Sequence, residues 1–426
     1  MTVTIKPAVF SGSVRVPASK SHTIRRLLIA ALADGRSCLE RALWSLDAVS
    51  CEGVCSALGA EIQRQAEGGA VTVFVQGTGG VFRRSVPVLD VGNSGTTLFL
   101  GAAIAALGGE EIHFTGDSQI NARSAAPLLA ALEQLGVRVQ SADGHTPFSV
   151  RGPWKGGHAA IACPTSQYLS ALLLAAPLAP AGCSSAIDVP LLNERPYVMM
   201  TLDYLRGQNI HIEHDAGLSH FLIPGGQRYR PLHGVVPADF SSAAFPALAA
   251  LVSGGRVELH GLDPGDSQGD KAFFDMVQAM GAQVEWRQTA EGWCVSVAGG
   301  EELRGICWDM NNTPDMLPAA CVLAAFAHGE SAFVNVAHAR IKETDRIAVM
   351  ARELGKAGVV CRERADGIEI AGTGDIEAAH FDGHNDHRIV MALVCAGLGA
   401  AGPCTIAGAE AAAVTYPDFI PLVQQH

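Results

Sequence analysis

Lys20, Arg25, Gln167, His387 and Arg388 each fall in the first turn of an apolar helix expected from the sequence. A helix start exposes unpaired N–H groups and a partial positive charge, so it attracts anions and disfavours cations. Cations collected at such places carry an electrostatic penalty that a multiply charged anionic ligand would offset. The Ser, Thr, Asn and Asp residues beside them read, one at a time, as plain N-caps. A second group, Arg340-Ile341-Lys342-Glu343-Thr344-Asp345-Arg346, mixes both signs. As a helix opening it makes Lys342 and Arg346 like-charged i,i+4 neighbours, mildly unfavourable unless an anion joins them. Glu343 and Asp345 read either as first-turn acids favoured by the dipole or as functional carboxylates. Asn121-Ala122-Arg123-Ser124 sets another Arg at the matching place, and Asn193-Glu194-Arg195-Pro196-Tyr197 does the same with Arg195, read as a surface residue.

These residues are spaced by a repeat. A short strand, a turn of Pro, Gly or Asn, a few polar residues and a helix of small apolar residues recur six times, starting at Val14, Leu89, Ile161, Val235, Trp308 and Phe381. The intervals all lie between 72 and 75 residues, too regular for coincidence. Most copies carry a second amphipathic helix that stops at Gly before a β-branched strand, as at Gly59, Gly136, Gly281 and Gly355. The unit is therefore β-α-β-α with one or two further strands. It is longer than a solenoid repeat, so six copies predict two similar mixed α/β domains of three units each, divided near residue 234. In a domain of three like units the polar helix starts would share a face.

Composition narrows the function. The 426 residues carry 30 Lys and Arg against 42 Asp and Glu, a net charge of −12, with 48% hydrophobic residues. Such a chain has ample core and no basic tract, which argues against nucleic acid or an anionic membrane as partner. The apolar runs 169–181 and 316–327 fall short of the roughly 20 residues a bilayer requires and read as buried helices. The amino terminus has no apolar stretch of the signal-peptide kind. Eleven cysteines, scattered and odd in number, predict buried thiols in a reducing cytoplasm, with neither a disulfide framework nor a zinc site.

Six motifs then resemble one family in order and spacing, from about residue 5 to 420. They are Ala18-Ser19-Lys20-Ser21-His22-Thr23-Ile24-Arg25, Gly92-Asn93-Ser94-Gly95-Thr96-Thr97, Thr165-Ser166-Gln167-Tyr168, Asp239-Phe240-Ser241-Ser242, Lys342-Glu343-Thr344-Asp345-Arg346 and Asn385-Asp386-His387-Arg388. Together they look like EPSP synthase, 3-phosphoshikimate 1-carboxyvinyltransferase. The resemblance implies two domains, each of three βαβαββ units built as an inside-out α/β barrel, with the active site in the cleft between them. One domain would be discontinuous, 1–18 with 235–426, and the other 19–234. The implied reaction moves the enolpyruvyl group of phosphoenolpyruvate to the 5-hydroxyl of shikimate 3-phosphate and releases phosphate, in the shikimate pathway to aromatic amino acids. No cofactor or metal is implied, and a cytoplasmic monomer is.

By position, the resemblance assigns Lys20, Ser21, Arg25, Thr165, Ser166, Gln167, Tyr197, Asp315 and Lys342 to shikimate 3-phosphate. It assigns Lys20, Gly95, Arg123, Gln167, Arg346 and Arg388 to phosphoenolpyruvate. Asp315 is the expected base for the 5-hydroxyl, with Glu343 and Lys20 the partners in proton delivery to the methylene carbon. Guanidinium groups suit a carboxylate and a phosphate because they bind bidentately and stay charged. Four departures stand out: Phe99 where many members have Arg, Thr165 for the first of a Ser pair, Glu194 where a phosphate-contacting Ser often lies, and Val414 where some place a Lys. Two rival readings share the fold. The enolpyruvyl transferase acting on UDP-N-acetylglucosamine reads Lys-Asn at the first motif and usually has a reactive Cys before the Arg matching Arg123, whereas residues 108–122 contain no Cys. An inactive paralogue that binds similar anions is favoured by Phe99 and Val414 and opposed by Lys20, Asp315, Glu343, Arg346 and Arg388.

Overall fold

The structure, a computed structural model, describes residues 1–67, 70–82, 88–290, 292–299 and 302–425. The chain divides into two compact units: a late unit of Met1–Ser19 with Pro237–His426, and an early unit of Lys20–Val236. The first helix of each of the six repeats is apolar: α1 (Lys20–Leu32), α2 (Gly95–Ala105), α3 (Ser166–Ala175), α4 (Phe240–Ser253), α5 (Leu317–Ala325) and α6 (His387–Gly399).

The second repeat shows how the sequence builds the unit. Two residues past the strand Val88–Asp90 the chain turns at Gly92, whose φ of 56° is left-handed and inexpensive only for glycine. Ser94 then caps α2, its hydroxyl accepting from the Thr97 N–H at 3.3 Å. The helix returns the chain so that Ile112–Thr115 pairs in parallel with the first strand, a crossover that parallel pairing requires. Phe148–Arg151 and Arg138–Ser141 complete the sheet in antiparallel order. The same layout, first strand beside second, second beside fourth, third at the edge, recurs in the four-stranded sheets.

Two entering strands belong to the unit other than the one that holds the helix they lead into. Gly12–Arg15, which leads to α1, pairs in parallel with Arg256–His260 in the late unit. His233–Val235, which leads to α4, pairs in parallel with Arg36–Ala42 in the early unit. The chain segments around these passages are hydrogen-bonded to each other, Ser19 N to Pro237 O at 2.8 Å and Asp239 N to Pro17 O at 2.9 Å. The last repeat has only His380–Asp382 and Cys404–Ala407, and the amino-terminal strand Thr2–Ile5 supplies its third, antiparallel member.

Helices lie inside and sheets outside. Every residue of α2 and of α5 is buried, as expected of helices apolar all round. In the late unit α4, α5 and α6 pack against one another, and in the early unit α2 packs on both α1 and α3. Burial of side chains such as Leu317, Val322 and Leu323 contributes about 1.5–3 kcal/mol each. These rigid cores hold the helix starts, and with them the polar residues, in fixed positions. Among the described residues no helix is long and apolar enough to cross a membrane.

Candidate active site

In the late unit the chemistry gathers around one guanidinium. Arg346 is fully buried and opens the helix Arg346–Lys356, which Asp345 caps by accepting from the Ala348 N–H at 3.0 Å. The residue pattern alone begins that helix earlier. With the cap at Asp345, Lys342 and Glu343 instead occupy the turn before it, so Lys342 and Arg346 are not neighbours on a helix face. That turn frees Glu343 to fold back, and its Oε2 accepts from Arg346 Nη2 at 2.6 Å. Arg346 Nη1 donates to Asp315 Oδ1 at 2.7 Å, and Nε to Asp386 Oδ2 at 2.8 Å. Arg388 Nη2 holds the other Asp315 oxygen at 2.9 Å.

Asp315 therefore bridges two guanidiniums from a short 3-10 turn, Pro314–Met316, that runs into α5. Burial pushes its pKa up, but Arg388, Lys342 and Arg346 together outweigh burial and hold it well below the usual carboxylate range. For Arg346 burial works downward, and the carboxylates of Asp386, Glu343 and Asp315 more than reverse it. Asp386 is fully buried, caps α6 through the Arg388 N–H at 2.9 Å, and also accepts from Thr344 Oγ1 at 3.1 Å. Asp270, also fully buried, accepts from Ser241 Oγ. Burial first, then the negative charge of Asp315, pushes its pKa up to about 7 against the pull of Arg388.

The early unit arranges its cations differently. Lys20, the first residue of α1, pairs with Asp47 Oδ2 at 3.1 Å, and both side chains are largely buried. Arg25 is 2% exposed and donates to Thr201 Oγ1 at 2.9 Å, to the carbonyls of Ser21 and Tyr197 at 3.2 Å each, and to Ser170 Oγ at 3.4 Å. All four acceptors are neutral, and burial lowers the Arg25 pKa to about 10. Gly95 begins α2 where a Cβ would lie 2.5 Å from Arg123 Nη1 and 3.7 Å from Gln167 Oε1, so only a missing side chain admits that guanidinium. Gln167 in turn donates to Thr96 Oγ1 at 3.3 Å. Thr165 caps α3, and the Ser166 N–H and hydroxyl follow in its first turn.

The sequence-derived residues thus form groups within each unit. Asp315, Glu343, Arg346 and Arg388 are joined by direct ion pairs, with Lys342 close enough to Asp315 to act on its charge. Ser21, Arg25 and Tyr197 meet through the Arg25 guanidinium, and Gly95, Arg123 and Gln167 meet at the start of α2. Arg195 donates to the Ala216 carbonyl at 3.2 Å and takes no part. Sequence reasoning missed three acids: Asp47, Asp270 and Asp386. Asp386 lies inside a quoted motif, and its cap role hid its second task as the partner of Arg346. Asp47 is 27 positions from Lys20, a separation with no periodic signal. Of the departures, Phe99 is buried edge-on against the Tyr168 ring at 4.9 Å, which makes that position apolar core here.

Residues 5–422 match the family EPSP synthase (3-phosphoshikimate 1-carboxyvinyltransferase). The 3-phosphoshikimate 1-carboxyvinyltransferase of Acetivibrio thermocellus is 45% identical over 423 residues, 99% of this chain and 97% of its own length. That of Ruminiclostridium cellulolyticum is 42% identical over 426 residues, 100% and 98% of the two chains. The solved EPSP synthase of Acinetobacter baumannii superposes with a TM-score of 0.82 at 26% identity, covering 100% of this chain and 98% of that one. The repeat architecture, the motif residues and these likenesses agree: the chain belongs to the EPSP synthase family.

Proposed function

We propose that the chain transfers the enolpyruvyl group of phosphoenolpyruvate to the 5-hydroxyl of shikimate 3-phosphate, giving 5-enolpyruvylshikimate 3-phosphate and phosphate. The observation that carries the reading is Asp315 clamped between Arg346 and Arg388 with Glu343 beside it. Two guanidiniums are a seat for the carboxylate and phosphate of phosphoenolpyruvate. Two carboxyl groups nearby can serve the two proton movements the addition needs.

A carboxylate held far below its usual pKa is a weak base. Entry of the anionic phosphoenolpyruvate, shared among Arg346, Arg388, Arg123, Gly95, Gln167 and Lys20, draws the guanidiniums away from Asp315 and raises its basicity. Asp315 then takes the 5-hydroxyl proton as that oxygen attacks the central carbon of phosphoenolpyruvate, while Glu343 with Lys20 delivers a proton to the methylene carbon. Loss of phosphate and of a methyl proton restores the double bond. Shikimate 3-phosphate is held by Lys20, Ser21, Arg25, Thr165, Ser166, Gln167, Tyr197, Asp315 and Lys342. The eleven unpaired thiols fit a cytoplasmic home, and a monomer is the working assembly.

The test is phosphate release with purified protein. Release that requires both phosphoenolpyruvate and shikimate 3-phosphate supports the reading. Release with UDP-N-acetylglucosamine instead, or none with either acceptor, overturns it.

A further inference from the structure

The early unit holds a buried carboxylate that these roles do not use. Glu194 is 2% exposed and adopts φ 56° and ψ 42°, a left-handed conformation uncommon for a residue with its side chain. It immediately precedes the helix Arg195–Gly207, yet its side chain caps nothing there. Its Oε2 turns instead to the start of α3, where it accepts from Ser166 Oγ at 2.8 Å, from Ser166 N at 3.0 Å and from Thr165 Oγ1 at 3.2 Å. These are the donors that the reading above gives to the 3-phosphate, and this inference rests on that reading. One carboxylate oxygen satisfies all three.

A phosphate dianion could not use these donors while Glu194 holds them, because two anions would then face each other in a buried place. A cation for the incoming group stands one helical turn away. Arg25 reaches the Tyr197 carbonyl, and the Tyr197 N–H donates to the Glu194 carbonyl at 3.1 Å. Each of the four Arg25 hydrogen bonds goes to a neutral oxygen, so its charge is available to an anion. We propose that Glu194 is a built-in occupant of the phosphate seat at α3 and that the substrate's phosphate must displace it. Glu194 thereby sets how strongly the site prefers a phosphorylated acceptor over its unphosphorylated form.

The experiment measures the dissociation constants of shikimate 3-phosphate and of shikimate by calorimetry on the full chain, its Glu194→Gln variant and its Glu194→Asn variant. Asn tolerates the left-handed backbone and keeps the comparison intact where Gln loosens the turn. Both neutral variants are expected to bind shikimate 3-phosphate about tenfold tighter or more, with shikimate changed by less than about twofold. Unchanged or weaker binding of shikimate 3-phosphate overturns the proposal, and so does equal tightening of both ligands. Wild-type turnover separates the two readings. Absence of phosphate release with shikimate 3-phosphate overturns the assigned reaction, whereas release with no gain in affinity in the variants overturns the role of Glu194 alone.

Discussion

Arg346 and Arg25 are both buried guanidiniums, and the protein holds them in opposite ways. Arg346 is surrounded by Asp315, Glu343 and Asp386, which drive its pKa well above the ordinary value in spite of burial. Arg25 has hydroxyls and carbonyls for partners, and burial leaves its pKa near 10. The late unit has thus neutralised its cation in advance, and an arriving anion must compete with carboxylates already there. In the early unit the carboxylates sit elsewhere, Asp47 on Lys20 and Glu194 on the start of α3, and Arg25 keeps its charge unmatched. The difference separates two tasks. In the proposed reaction a cation ringed by acids would adjust the acids' proton affinity when its ligand arrives, and a cation among neutral dipoles would bind.

The comparison breaks most visibly at Arg346. Arg346→Ala leaves three carboxylates facing one another without their common partner. It is expected to destabilise the late unit by about 5 kcal/mol, the upper end for breaking a buried ion pair, as read by urea unfolding. Arg346→Lys should rescue little, because one ammonium cannot reach three acids set in different directions. A loss below about 1 kcal/mol would mean that the acids do not depend on Arg346.

Asp270 tests the same crowding through pH. Its folded pKa of about 7 lies above the ordinary 3.8, so the folded chain retains a proton that the unfolded chain releases. Stability should therefore fall as pH rises from about 4 to about 7, by on the order of 4 kcal/mol from this group. Asp315, held low, acts in the opposite sense and only in more acid solution, where its protonation costs stability. Asp270→Asn should flatten the slope between about pH 4 and 7 in urea unfolding, and a slope that persists in the variant assigns it to other groups. Next in size is Asp315→Ala. It should lower turnover by about 10²-fold or more and leave shikimate 3-phosphate binding largely intact, measured by phosphate release and calorimetry. Near-normal turnover would remove Asp315 from proton transfer.

Much of this architecture is legible in the order of residues alone. The six-fold spacing survives folding because the second, third and fifth copies close their own sheets and the other three trade or borrow a single strand, so local punctuation at Gly, Pro and Asn carries the architecture. Cations at helix starts are legible too, since the dipole makes them conspicuous. What the sequence hides depends on distance or on one turn. His233–Val235 finds its parallel partner in Arg36–Ala42, nearly two hundred residues earlier, and no local pattern records that pairing. Lys342 and Arg346 are helical neighbours by spacing, but the Asp345 cap moves the helix start beyond Lys342. Glu194 is visible as an unusual residue, but its direction follows from a positive φ that composition does not signal.

The smallest effect tests the other half of the comparison, and it has the opposite sign. Replacing Arg25 by Met removes a buried charge whose hydrogen-bond partners are all neutral and keeps the stem that packs between α1 and the helix Arg195–Gly207. The acceptors it leaves are not stranded, because Thr201 Oγ1 already lies 3.0 Å from both Ser170 Oγ and the Tyr197 carbonyl. Arg25→Met is therefore expected to make the ligand-free protein about 1 kcal/mol more stable to urea, in line with apolar replacement of buried ions. The same variant should weaken shikimate 3-phosphate binding by about tenfold or more, since a charge-assisted hydrogen bond to the anion is lost. If Arg25→Met instead destabilises the chain as much as Arg346→Ala, the two guanidiniums are equivalent structural ions. Stabilisation joined to loss of affinity makes Arg25 a charge stored against the fold's own interest for a ligand to use.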